Sequence, residues 1–228
     1  RQTISSAQFP HHRLTMRTFA CLLLSLLVGS CCLLTYGQIP RRQVTKTLTL
    51  SNGIDWGTLG KLEYCPDGSW AVDFEGKFEP YTFLDTDETG FNALRLYCFT
   101  KDNSLTGFIT STEGDKGEWQ DMRSCHNGFL TAMRARVLPP QGALADDVAV
   151  QNMQLECDYG REILTAVDGA YAKIPLGEWG EWSACPKDSA ICGIQTQYNK
   201  PTTAVDDAGV CDMLLFCCSL NETTTVTS

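Results

Sequence analysis

Three stretches decide the fold: DETGFNALRLYC (87–98), DDVAVQNMQLEC (146–157) and DDAGVCDMLLFC (206–217). Each opens on acidic residues and closes in an apolar-rich run that ends in cysteine. Working outward, Cys98, Cys157 and Cys217 are spaced 59 and 60 apart, and Cys65, Cys125 and Cys185 are spaced 60 and 60. The stretches before the second set also align: GTLGKLEYC (57–65), GEWQDMRSC (117–125) and GEWGEWSAC (177–185). Repetition at a fixed period is the first thing to establish, because it sets the architecture. Turn-forming residues punctuate each copy every 8 to 12 residues, and no long 3.6-residue apolar period runs between them, which is a pattern of short strands. In the closing strand Leu94, Leu96 and Cys98 share one face, matched by Met153, Leu155, Cys157 and by Met213, Leu215, Cys217. The opposite face carries Arg95 and Tyr97, Gln154 and Glu156, or Leu214 and Phe216. A face that is apolar in all three copies is the core face. Three small sheets that each hide one face must pack on one another, and three around one axis make a prism.

The 228 residues carry a formal net charge of −9, with 12 Cys, 19 Gly and only 20% charged residues. That composition excludes a disordered chain. An acidic balance without a basic stripe excludes nucleic acid as partner. Met16-Arg17 followed by the apolar run from Phe19 to Leu34 reads as a secretory signal peptide, residues 16–37, with 1–15 as translated leader. The run is short for a bilayer span, so no membrane span is expected after cleavage. Residues 38–228 then hold all 27 Asp and Glu against 15 Lys and Arg, a net charge of 15 − 27 = −12. Nine cysteines remain, which in a secreted chain is a disulfide framework with one thiol over.

The order of WG, CP-x-G, K-F-E-P, an acidic pair and N-x-L-R-L-x-C resembles the vitelline membrane outer layer protein 1 family. NGIDWGTLGKLEYCPDG (52–68), KFEP (77–80) and FNALRLYC (91–98) carry it in the first copy, ICGIQTQ (191–197) and Cys217-Cys218 in the third. The second copy departs, with His126 in place of Pro66 and Leu138 in place of Glu79. The third has Asn199-Lys200 for Glu79-Pro80, and Cys211 where the first has Asn92. The resemblance implies an all-β fold, a β-prism of three Greek-key four-stranded sheets with pseudo-threefold symmetry, in a secreted extracellular coat or matrix protein that binds carbohydrate. A single domain over 52–218 is expected, with repeats at about 52–110, 111–170 and 171–218. The N-terminal segment 38–51 and a Thr-rich, disordered tail 219–228 lie outside it. About 12 short strands and no helix are expected.

Candidate ligand contacts are the acidic residues Asp87, Asp146, Asp147, Asp206 and Asp207, whose carboxylates accept hydrogen bonds from hydroxyls. The same residues also suit tight turns, and their recurrence in every copy fits turn chemistry. Trp56 and Trp70, with no counterparts in the other copies, are the aromatic candidates for stacking on sugar. Trp119 and Trp179 stand where the first copy has Leu59, which reads as core packing. With no D-x-D-x-D-G loop and no zinc spacing around His126, neither metal nor cofactor is expected. One disulfide per copy is expected, Cys65–Cys98, Cys125–Cys157 and Cys185–Cys217. Adjacent strand residues face opposite ways, so Cys218 takes Cys192 and leaves Cys211 free; exchange of 217 and 218 is the rival pairing. Asn221-Glu222-Thr223 is an N-glycosylation sequon. The function read from these residues is a structural coat protein whose partners are oligosaccharides or other extracellular coat proteins. The alternative is a carbohydrate-active enzyme, transferring or hydrolysing amino-sugar oligosaccharides. Glycosidase chemistry needs a chosen pair of carboxyls, and no nucleophile–base arrangement stands out, so a non-enzyme is favoured.

Overall fold

The computed structural model describes residues 42–80, 88–141, 148–168, 176–200 and 208–221. Among them the chain forms fifteen strands and no helix. In chain order these are β1 (Val44–Thr49), β2 (Thr58–Leu59), β3 (Glu63–Tyr64), β4 (Ser69–Phe78) and β5 (Phe91–Thr100), then β6 (Leu105–Ile109), β7 (Glu118–Trp119), β8 (Arg123–Ser124), β9 (Leu130–Val137) and β10 (Val150–Cys157). The last five are β11 (Glu162–Thr165), β12 (Glu178–Trp179), β13 (Ser183–Ala184), β14 (Ser189–Asn199) and β15 (Gly209–Ser219). The count exceeds 12 because the fourth position of each sheet is filled by two short pieces rather than one strand.

Three antiparallel sheets result. The first runs β6-β5-β4-β7 with β8 also on β4, and the second β11-β10-β9-β12 with β13 also on β9. The third runs β1-β15-β14-β2 with β3 also on β14. In the first two sheets three consecutive strands are followed by a fourth that returns beside the first, the Greek-key order. The third sheet has the same spatial order but is assembled from both ends of the chain. Two consequences differ from the expected boundaries. The opening stretch of each copy, β2–β3, β7–β8 or β12–β13, belongs to the sheet of the preceding copy. And the N-terminal segment is part of the domain, since β1 pairs with β15 from Val44↔Cys218 to Thr49↔Leu214.

The inward faces fill the axis. Phe74, Phe91, Leu94 and Leu96 of the first sheet, Met133, Met153 and Leu155 of the second, and Ile194, Met213 and Leu215 of the third are all under 2% exposed. The alternation that places them there is visible in β4, where Phe74 and Phe78 are buried while Asp73, Glu75 and Lys77 face outward. A smaller apolar group of Trp70, Ala190, Cys192, Phe216 and Cys218 covers the outer side of the third sheet at one end. This is why Leu214 and Phe216 stand where the other copies have polar residues.

The disulfides join what the strand exchange interleaves. Cys65, just after β3 in the third sheet, bonds Cys98 of the first. Cys125, after β8 in the first sheet, bonds Cys157 of the second, and Cys185, after β13 in the second, bonds Cys217 of the third. The ring of sheets is therefore latched at all three seams. Cys192–Cys218 lies within the third sheet, on its outer side. The exchanged pieces enter through Gly57, Gly117 and Gly177, with φ of 79°, 75° and 76°. A Cβ at each would be driven into the backbone at Tyr198, Phe78 and Val137 respectively. Left-handed backbone and close approach together make glycine the residue for this turn.

Candidate functional site

The three long hairpins all turn at the same end of the prism. β4 leads into the segment before β5, β9 into the segment before β10, and β14 into the segment before β15. Equivalent rungs at this end are Phe78↔Phe91, Val137↔Val150 and Tyr198↔Val210. Next to each rung the return strand carries one extra residue, a bulge that holds Asn92, Gln151 or Cys211. The replacement of Asn92 by Cys211 thus leaves the local geometry unchanged. Asp87, Asp146, Asp147, Asp206 and Asp207 lie outside the described residues. What is described is that their segments leave and re-enter the fold at this one end.

The polar groups on the floor of this end bond largely to one another. Asn92 Nδ2 donates to Thr89 Oγ1 (2.6 Å) and to the Gly90 carbonyl (3.2 Å), while Tyr198 Oη donates to Asn92 Oδ1 (3.2 Å), tying the third sheet to the first. Gln151 Nε2 donates to the Val148 carbonyl. Asn152 Nδ2 donates to the Val167 carbonyl (2.9 Å), and Asn152 Oδ1 accepts from the amides of Met153 (2.8 Å) and Val167 (3.0 Å). Glu79 Oε2 accepts from the Thr89 amide (3.0 Å) and hydroxyl (2.7 Å), so the K-F-E-P glutamate braces the return from the first acidic segment. Buried polar groups in such a network are occupied with one another. They shape the end of the prism rather than meet a ligand.

Trp56 is placed differently. Its ring is half-buried and packs, with Ile54, on Ala149, Ala208 and Cys211. Ala149 and Ala208 stand just past the second and third acidic segments. Trp56 therefore presents a partly open aromatic ring beside two of the three return points. Nearby, Gln197 Nε2 donates to Asp55 Oδ1 (2.9 Å).

The other aromatic candidates need correction. Trp70 is 2% exposed, near the start of β4, with Arg42 and Lys101 over its ring at 5.2 and 5.8 Å and Phe129 edge-on at 5.5 Å. Eight residues of strand, about 26 Å, separate it from Phe78, so it does not join Trp56. Trp119 and Trp179 are not core. They lie half-buried on the outer side, under arginines: Arg95 is 3.9 Å from the Trp119 ring and Arg136 4.7 Å from Trp179. Leu59, the equivalent residue, is 56% exposed. Sequence reasoning missed these stacks because the arginines come from strands tens of residues away.

Cys211 is a free thiol with no exposed surface, which leaves it no route to an intermolecular bridge. Burial pushes its thiol up to about 12, so it is not a nucleophile at neutral pH. Asn221, after β15, is exposed. Among the described residues no group of three or more His, Cys, Asp or Glu is placed to hold a metal ion.

Residues 46–220 match the family described as Vitelline membrane outer layer protein I. A Homo sapiens relative, vitelline membrane outer layer protein 1 homolog, is 34% identical over 201 residues, spanning 86% of this chain and 93% of the relative. The Mus musculus relative of that name is 36% identical over 174 residues, spanning 75% and 82%. Among solved structures, a single-chain recombinant jacalin aligns over 80% of this chain and 98% of its own, with 8% identity and a TM-score of 0.48. A mannose-binding jacalin-related lectin from Ananas comosus aligns over 76% and 98%, with 12% identity and a TM-score of 0.45.

Proposed function

Since the chain belongs to the vitelline membrane outer layer protein I family, we propose that it is a secreted structural protein of an extracellular coat whose hairpin end takes an uncharged oligosaccharide or a basic segment of another coat protein. The observation that carries this reading is Trp56. A half-open indole beside two acidic segments is the combination that a sugar uses, ring face on aromatic ring and hydroxyls on carboxylates. Charge supports the choice of ligand. The segments that leave and re-enter the fold at this end carry Asp87, Asp146, Asp147, Asp206 and Asp207, and so acidic a set favours a neutral polyol or a cationic group over an anionic glycan. The disulfide framework supports the compartment.

A glycan array probed with the secreted protein tests the reading. Binding to an uncharged oligosaccharide is expected, and Trp56→Ala should weaken it about tenfold or more, the scale of a central aromatic anchor. The double variant Asp146→Asn, Asp147→Asn should weaken a basic partner and flatten its salt dependence. Tight binding of heparin-like chains that the double variant leaves unchanged would sink the idea.

A further inference from the structure

The outer surface holds a second aromatic feature that the hairpin end does not explain. Residues 59 and 62, 119 and 122, and 179 and 182 are equivalent in the three copies, because Leu59 pairs with Gln197, Trp119 with Lys77 and Trp179 with Arg136. In the first copy the pair is Leu59 and Leu62, 56% and 42% exposed, and in the second Met122 follows Trp119 at 53% exposed. Packing at this position therefore does not demand tryptophan. The third copy alone reads Trp179-Gly180-Glu181-Trp182-Ser183-Ala184-Cys185, which is Trp-x-x-Trp running into Trp-x-x-Cys.

The sheet that receives this stretch is also specialised. The facing positions of β9 are Arg134 and Arg136, where β4 has Glu75 and Lys77 and β14 has Gln195 and Gln197. Arg136 lies 4.7 Å from the Trp179 ring, and Arg134 lies 5.1 Å from Trp179 and 4.8 Å from Trp182. The order Arg136, Trp179, Arg134, Trp182 alternates cation and indole along the outer face. Arg134 is held by its Nε donating to Gln154 Oε1 at 2.9 Å. The backbone between the indoles is pinned by the Gly180 amide donating to the Ala135 carbonyl (2.9 Å) and the Glu181 amide to Ser51 Oγ (2.8 Å). Both rings stay half-exposed.

We infer that Trp179, recognised together with Trp182, is a site of C-linked mannosylation. Indole C2 is a carbon nucleophile, and transferases of the secretory lumen that attach mannose to it read a tryptophan three residues before a second tryptophan or a cysteine. The donor is a polyprenyl-phosphate mannose. The bond from indole C2 to mannose C1 forms, the C1–O bond to phosphate breaks with its electron pair leaving on the polyprenyl phosphate, and the C2 proton passes to a base of the transferase. No redox change is involved. On the folded surface the sugar lies against the arginine stack, whose guanidinium edges can donate to its hydroxyls.

Mass spectrometry of the reduced tryptic peptide 174–187 decides it. The protein is secreted from animal cells that modify a co-expressed control protein bearing Trp-x-x-Trp. The peptide is expected to carry one hexose on Trp179, with any second hexose confined to Trp182, whose Trp-x-x-Cys the same transferases read, and each fragmenting by cleavage across the sugar ring. Glu181→Ala should keep the hexose and Trp182→Ala should lose it, the peptide being read from the retained fraction where a variant is not secreted. An unmodified Trp179 beside a modified control would overturn the assignment. So would a hexose that leaves intact and maps to Ser183, or one that persists in Trp182→Ala.

Discussion

At the scale of single residues, the three copies provide their own controls. Asn152 and Asp212 occupy equivalent rungs and do the same work: Asn152 Oδ1 accepts from the Met153 amide (2.8 Å), Asp212 Oδ1 from the Met213 amide (2.7 Å). Burial raises the Asp212 carboxyl above its ordinary value. The bond from Met213 partly offsets this, and the charge of Asp55 adds to it. A carboxyl raised in the folded state binds its proton more tightly there than in the unfolded chain, so stability falls as pH rises through the interval between the two values. Asp212→Asn keeps the acceptor and removes that loss. The variant should melt above the wild type at neutral pH, and the gap should close below about pH 3.9, the ordinary Asp value, where both forms of the wild type are protonated. A melting difference that does not change with pH would show that ionisation of Asp212 is not the cause. The core residues at this scale were legible, because Leu94, Met153 and Met213 sit on a face that is apolar in every copy. The tryptophans were not. Replacement of Trp179 by Leu in the first copy signals a tolerated apolar position, but it cannot say whether the position faces the axis or solvent. The arginines that answer the question, Arg134 and Arg136, lie over 40 residues earlier.

At the scale of elements, the hairpins were legible and the exchange was not. β4–β5, β9–β10 and β14–β15 follow from period-two alternation between turn signals. β7 and β12 are two residues long, too short to show a period. Their assignment to the neighbouring sheet is fixed by pairing that no local pattern encodes. The exchange gives each repeat disulfide a mechanical meaning, because Cys125–Cys157 fastens the β7–β8 piece of the first sheet to the second sheet. Replacing both cysteines by alanine frees a loop with a sequence separation of 32. In the chain-entropy model this costs roughly 3–4 kcal/mol, or about 6–16 °C in Tm for a domain of this size. The loss should begin locally. The amides of Arg123 and Ser124, which pair with Phe74 and Asp73, should exchange sooner than those of β4 and β5. A Tm within a degree or two of the wild type, or protection lost uniformly, would mean that the seam holds without its latch.

At the scale of the whole molecule, a ring of three sheets has to be closed by something, and here both chain ends do it. The repeat predicted three equal units, and the core has them. It did not predict that the third unit lacks an outer strand of its own and borrows β1 from the N-terminal segment, which falls outside the repeat. The one local hint is the alternation Thr47-Leu48-Thr49-Leu50, a short strand pattern with one apolar face. Leu48 has no exposed surface and Leu50 is 8% exposed, so both belong to the axis core. Lys46 Nζ also donates to the Ala184 carbonyl (2.8 Å), tying this strand to the second sheet. A chain beginning at residue 52 loses both leucines, at about 2–5 kcal/mol each by analogy with core truncations, and leaves β15 as an open edge. Set against a total stability of about 5–15 kcal/mol, that loss is decisive. With the signal segment 16–37 kept in front of each, a chain resuming at Arg42 should be secreted and melt cooperatively, whereas one resuming at residue 52 should be retained or aggregate. If the shorter chain is secreted with an unchanged Tm, the third sheet is complete without β1, and closure of the prism rests on the three seam disulfides and the β14–β15 hairpin instead.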